Sequence, residues 1–149
     1  MAVEITRLGA GTKYPIAQLR TVAAALLVEL QQNRAELSIA LVGDAEMRPL
    51  NRRYRKKNQT TDVLSFFVEE QPRSGAVLLG DVVISVEQAR RQAQQRKQTL
   101  KSEMVALLIH GVLHLLGYDH ERSARQAQIM FARERKLQAR LCERGLLKV

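Results

Sequence analysis

The most apolar run in the chain, Val105 to Leu116, is too short to span a bilayer and is interrupted by histidines. It forms the body of an apolar helix expected over Thr99 to Leu116, stopped by Gly117 as a C-cap. All three histidines of the chain lie within the eleven residues HGVLHLLGYDH, from His110 to His120. His110 and His114 are four apart, so a helix places them one turn apart on the same face. His120 follows the helix-ending glycine and can supply a third nitrogen from outside. Two imidazoles so arranged can grip one ion, and three leave an open position for water, as in a catalytic rather than a closed structural zinc site. Zinc suits imidazole best, while nickel or copper also fit chemically. An acceptor is expected to orient the ring nitrogens that do not face the metal, and no residue in the sequence is singled out for it.

The spacing is that of the metalloprotease pattern H-E-x-x-H-x-x-G-x-x-H, with one difference. Gly111 stands where the protease places the glutamate that carries a proton from water to the leaving amine. Without that group, the electrophile has to suit a site that neutralises negative charge. The charge balance points the same way: 24 Lys and Arg against 15 acidic residues give +9 and a pI near 10.3. Such an excess favours polyanionic partners, nucleic acid or an acidic membrane surface. A phosphodiester is therefore a better candidate substrate than a peptide bond, and a metal-dependent protease or hydrolase is the alternative.

The remaining segments predict the order β-α-β-α-β-β-α-α-α. VEIT reads as a strand, and Ile16, Leu19, Val22, Ala23, Leu26, Leu27 and Leu30 recur at helical spacing from Pro15 to about Gln32. ELSIALVGD alternates as a strand, and Asp44 can cap a helix from roughly Ala45 to Tyr54, with Pro49 disturbing its interior. DVLSFFVE and AVLLGDVVIS follow as strands, with a bulge or close backbone approach expected at Gly80. Ser85 and Gln88 form a capping box opening a helix to about Lys97. A long charged helix runs from about Glu121 to Arg144, read as amphipathic packing through Ile129, Met130, Leu137 and Leu141. These elements imply a small sheet flanked by helices, α/β (or α+β), and their order alone does not fix strand directions. The expectation for the whole is a small, mostly four-stranded mixed sheet flanked by about five helices. With no repeat or linker, residues 1–149 are expected to be one metal-binding domain. Cys142 is alone and reads as a small buried or half-buried side chain near the end of a helix. The N-terminus lacks the order of a signal peptide, so a cytoplasmic location is the expectation.

A second unusual stretch is NRRYRKKNQTTDVLSF, where Arg52, Arg53, Arg55, Lys56 and Lys57 surround Tyr54 as a helix gives way to a strand. Cations in a last helical turn complement the helix dipole, which accounts for one or two of them. The rest form a candidate phosphate-tracking patch, with Tyr54 either a core anchor or a base-stacking platform. Asp62, Asp81 and Asp119 are the acids nearest the apolar strands or the histidines. Capping and turn formation are the commoner fate of such residues, and none is assigned as a base.

Together, HGVLHLLGYDH, NRRYRKKNQTTDVLSF and LLGDVVIS resemble, in kind and order, the YbeY-type endoribonucleases, a family of rRNA maturation factors. The resemblance runs from roughly Leu41 to His120. It implies zinc held by His110, His114 and His120, with His114 and Arg55 catalytic, and cleavage specific for single-stranded RNA. It further implies maturation of the 3′ end of small-subunit rRNA, ribosome quality control, and association with the ribosome and its assembly factors rather than a membrane. A guanidinium at Arg55 suits bidentate contact with phosphate and does not serve as a base at neutral pH. Arg52, Arg53, Lys56 and Lys57 are candidates for guiding the RNA. A non-catalytic assembly factor with a structural zinc is a further alternative. The chain departs from the family pattern at Asn58, Thr60 and Phe67, which bears on the shape of that loop.

Overall fold

The structure is a computed structural model describing residues 2–55 and 61–148. It contains β1 (Ala2–Leu8), α1 (Ile16–Glu29), β2 (Ala35–Val42), α2 (Asp44–Arg55), β3 (Val63–Phe67), β4 (Val77–Ser85), α3 (Val86–Gln95), α4 (Leu100–Leu115) and α5 (Ala124–Glu143). The strands form one sheet in the order β1-β2-β4-β3, with β1, β2 and β4 parallel and β3 antiparallel at the edge. The four-stranded mixed sheet with five helices matches the expected fold class, and the element order is the one that periodicity predicts.

Strand alternation decides which side is the core. Leu37, Ile39 and Leu41 face the same way along β2, in register with Ile5 of β1 and with Val82 and Ile84 of β4. On that face α1 packs on β1 and α4 on β3 and β4, while α5 lies against both helices. Among the described residues, α2 covers the opposite face, over a small cluster of Val42, Met47, Leu64 and Val83. Because α4 is enclosed by the sheet, α1, α3 and α5, ten of its sixteen residues are buried. That enclosure is why its sequence is apolar nearly all round. One of the ten is Glu103, whose carboxylate accepts from Gln92, Arg96 and Gln98 at the end of α3. A buried carboxylate is tolerable only with such a set of donors.

Gly80 shows both features expected of it. The β2–β4 register slips beside it, passing over Leu79, and its φ is +133°. A Cβ there would overlap the Phe66 carbonyl oxygen of β3. Three expectations need revision. α2 runs through Pro49 without a break, although the proline, midway along the helix, removes one backbone hydrogen bond. Asp44 is the first residue of α2 rather than its cap: Gly43 N–H and Asp44 N–H donate to the carboxylates of Glu46 and Glu87, and Asp44 pairs with Ser85 and Arg91. Ile129 is exposed, so the buried stripe of α5 consists of Met130, Leu137 and Leu141. Cys142 is half-buried in the last turn, as expected.

Candidate metal centre and its arginine

The centre begins with how α4 ends. Gly117, at φ +99°, donates its N–H to the His114 carbonyl, and Tyr118 N–H reaches the Leu113 carbonyl. This Schellman ending reverses the chain within two residues. It brings His120 back against the helix turn that carries His110 and His114. The three rings sit with centroids 4.8, 5.0 and 5.3 Å apart, and one donor nitrogen of each lies within 4.8 Å of the others.

The environment of the rings fits a metal. His114 has its pKa lowered, first by burial and then by the charges of His110 and His120, so the neutral, ligating form is favoured. His110 Nδ1 lies 3.0 Å from Glu134 Oε1 on α5. A carboxylate only accepts, so Nδ1 carries the proton and Nε2 presents its lone pair. A carboxylate behind a ligating histidine is the usual partner at metal sites. The buried Nδ1 of His120 has no hydrogen-bond partner among the described residues. An orphaned buried nitrogen beside two other imidazoles is what a metal would satisfy.

Glu134 is thus the orienting acceptor expected behind the rings, at a position no motif of the sequence marks. Its spacing does carry a signal, because Met130, Glu134, Leu137 and Leu141 follow the 4-3-4 rhythm of one helix face. A carboxylate on that buried stripe needs a partner, and His110 provides one.

Gly111 has a packing role. A Cβ at this position would fall 2.7 Å from Val82 Cγ1 and 3.3 Å from Ser65 Oγ. Glycine lets the α4 backbone settle directly on β3 and β4, where Ser65 Oγ donates to the Gly111 carbonyl at 2.9 Å. The glutamate of a protease has no room here.

Arg55, at the end of α2, comes to the same place. Its Nη2 is 3.0 Å from Glu121 Oε1, and that oxygen is 3.9 Å from His120 Nε2. One carboxylate oxygen therefore lies between the arginine and the third histidine, bonded to the first and near the second. Arg52 and Arg53 are exposed on the last turn of α2. Lys56 and Lys57 lie outside the described residues, as do Asn58 and Thr60. Tyr54 is 55% exposed, so the core-anchor reading falls away. The three aspartates have local duties or face elsewhere. Asp62 accepts from Val63 N–H, Asp119 accepts from Glu121 N–H, and Asp81 is exposed on β4. The carboxylates paired with the histidines and the arginine are instead Glu121 and Glu134.

Fold and site together define an α/β protein with a three-histidine, metal-type centre flanked by an arginine. The family model described as endoribonuclease YbeY matches residues 12–142. The endoribonuclease YbeY of Anaeromyxobacter sp. (strain Fw109-5) is 52% identical over 120 residues, covering 80% of this chain and 62% of that protein. That of Syntrophotalea carbinolica is 42% identical over 137 residues, covering 90% of this chain and 91% of the relative. The chain spans 43% of the Myxococcus xanthus relative, with which it shares 50% identity over 131 residues, 87% of its own length. The solution structure of TM1509 from Thermotoga maritima superposes with a TM-score of 0.62 at 26% identity, covering 91% of this chain and 85% of that one. The chain belongs to the endoribonuclease YbeY family.

Proposed function

We propose that this chain is a zinc-dependent endoribonuclease that cuts single-stranded RNA, with small-subunit rRNA near its 3′ end as its substrate on the ribosome. The observation that carries the reading is the convergence of Arg55 with the three histidines through Glu121. A basic segment and a metal-type centre, separate in sequence, meet where a phosphodiester can touch both.

The residues divide the work. His110, His114 and His120 hold the ion, with Glu134 fixing the tautomer of His110. When bound, the ion supplies Lewis acidity toward a phosphoryl oxygen and lowers the pKa of water. Arg55 offers a planar fork of donors to the non-bridging oxygens and stabilises the charge that develops on them. Glu121 holds that fork beside His120 until phosphate replaces the carboxylate as its acceptor. Arg52 and Arg53, joined by Lys56 and Lys57, raise the local concentration of the polyanion. No described helix is long and apolar enough to cross a membrane. A cytoplasmic setting agrees with the absence of disulfides expected of a chain with one cysteine.

The test pairs metal analysis with cleavage of single-stranded rRNA by wild type, His114→Ala and Arg55→Glu. Wild type is expected to carry close to one zinc per chain and to cleave. His114→Ala should lose both metal and cleavage, and Arg55→Glu should lose cleavage while keeping metal. Cleavage retained in both variants would overturn the assignment.

A further inference from the structure

Aromatic side chains are scarce in this chain, with three tyrosines, three phenylalanines and no tryptophan. Two of the six meet beside Arg55. Tyr54 packs on Phe66 in an edge-to-face contact, with centroids 4.7 Å apart and planes at 70°. Phe66 is half-buried and closes the small cluster under α2, together with Leu50. Tyr54 lies on top of it and is 55% exposed, although a tyrosine gains most from burying its ring. An exposed aromatic buttressed from below is held in place while contributing little to the core.

The neighbouring arginine shows how the ring can be used. The Arg53 guanidinium carbon lies 5.6 Å from the Tyr54 ring centroid. A flat cation over a ring occupies the space that a flat nucleobase takes when it stacks. The contact is solvent-exposed and readily exchanged, and a displaced Arg53 still has the adjoining phosphate to bind. Arg55, one residue on, is held at Glu121 beside His120.

We infer that Tyr54, backed by Phe66, is a nucleobase-stacking platform that seats one unpaired base next to the phosphate presented to Arg55 and the histidines. The assignment rests on the ribonuclease reading and names the device by which that site selects single strands. A base within a duplex is already stacked on both sides and cannot lie on Tyr54. A base in a single strand can. The surrounding cations attract both kinds of RNA, so the discrimination comes from the ring.

Affinities for a fluorescently labelled single-stranded RNA and for its duplex, measured by anisotropy at one salt concentration, test this. Tyr54→Leu is expected to weaken single-strand binding by about 5- to 100-fold and leave duplex binding unchanged, while Tyr54→Phe stays within about twofold of wild type. The KM for single-strand cleavage should rise in Tyr54→Leu, with kcat nearly unchanged. Because the chain has no tryptophan, Tyr54→Trp gives a single indole, expected to be quenched by single-stranded RNA and untouched by duplex. Unchanged single-strand affinity in Tyr54→Leu, an equal loss for both RNAs, or an indole insensitive to single strand would overturn the platform. Wild-type cleavage in the same samples separates that outcome from failure of the ribonuclease reading itself.

Discussion

Two helix ends build the candidate site, and they are made differently. The end of α4 is locked. Gly111 is seated on Val82, Ser65 Oγ holds its carbonyl, a Schellman ending turns the chain back, and Glu134 reaches across from α5 to His110. The end of α2 is loose. Arg52, Arg53, Tyr54 and Arg55 are all exposed, and Arg55 is held by an ion pair to Glu121, itself exposed. On the proposed function, the difference follows from what each end would bind. Metal–nitrogen bonds of about 2.0–2.1 Å tolerate little error, so the ligands are positioned by the core. Attraction between a cation and a phosphate falls off gradually with distance, so long side chains in solvent can adjust to it.

The largest effect is expected where the locked end meets the sheet. Gly111→Glu, which restores the protease pattern in sequence, drives a charged side chain into Val82 and should prevent folding. Gly111→Ala should cost about 1–3 kcal/mol in denaturant unfolding, partly offset by the better helix propensity of alanine. A stable Gly111→Glu protein would break the idea that glycine is required for packing. Next comes Glu134→Gln, expected to weaken metal affinity by about 10–100-fold in a competition titration while the fold persists. Metal affinity equal to wild type would mean that α5 does nothing for the centre.

At the loose end the effects should be smaller and kinetic. Arg55→Lys keeps the charge but loses the fork, and should lower kcat by about 10- to 100-fold without changing metal content. Glu121→Gln removes an exposed ion pair worth about 0–1 kcal/mol, so its unfolding midpoint should barely move. If Arg55→Lys also lost the metal, the two ends would not be separable, and the contrast drawn between them would fail.

Much of the locked end is legible in the amino-acid sequence. Histidine spacing, the helix-ending Gly117 and the strand alternation are local patterns, and each leads to the right element. Gly111 stands out in the sequence for a group it lacks, whereas its role depends on Val82, a residue of β4 that no local pattern places beside it. Glu121 and Glu134 escape notice for a related reason. A carboxylate acquires meaning from what it faces, and His110 meets Glu134 across 24 residues of chain. The rhythm of the α5 stripe holds that information, but only when its charged positions are read together with its apolar ones. Arg55 is prominent through family resemblance, and only the fold brings it within reach of His120 through a shared carboxylate.

The smallest expected effect concerns how α5, the carrier of Glu134, is anchored. Glu29 at the end of α1 accepts from Arg140 Nε at 2.7 Å and Arg144 Nη2 at 3.0 Å. Hydrogen bonds from these two arginines, first Arg140 and then Arg144, hold its pKa below the ordinary carboxylate value. The folded state therefore binds this proton less readily than the unfolded chain. The stability from the pair is present in full above the unfolded carboxylate pKa and is lost as pH falls through the lowered folded value. Glu29→Gln should slightly lower the unfolding midpoint at pH 7 and reduce the difference between pH 7 and pH 3. Metal affinity at pH 7 should not change, because Met130 and Leu137 seat α5 on the core independently of its last turn. If Glu29→Gln instead weakened metal binding, the rigidity of the α4 end would depend on a surface ion pair after all, and the two ends would differ less than their burial implies.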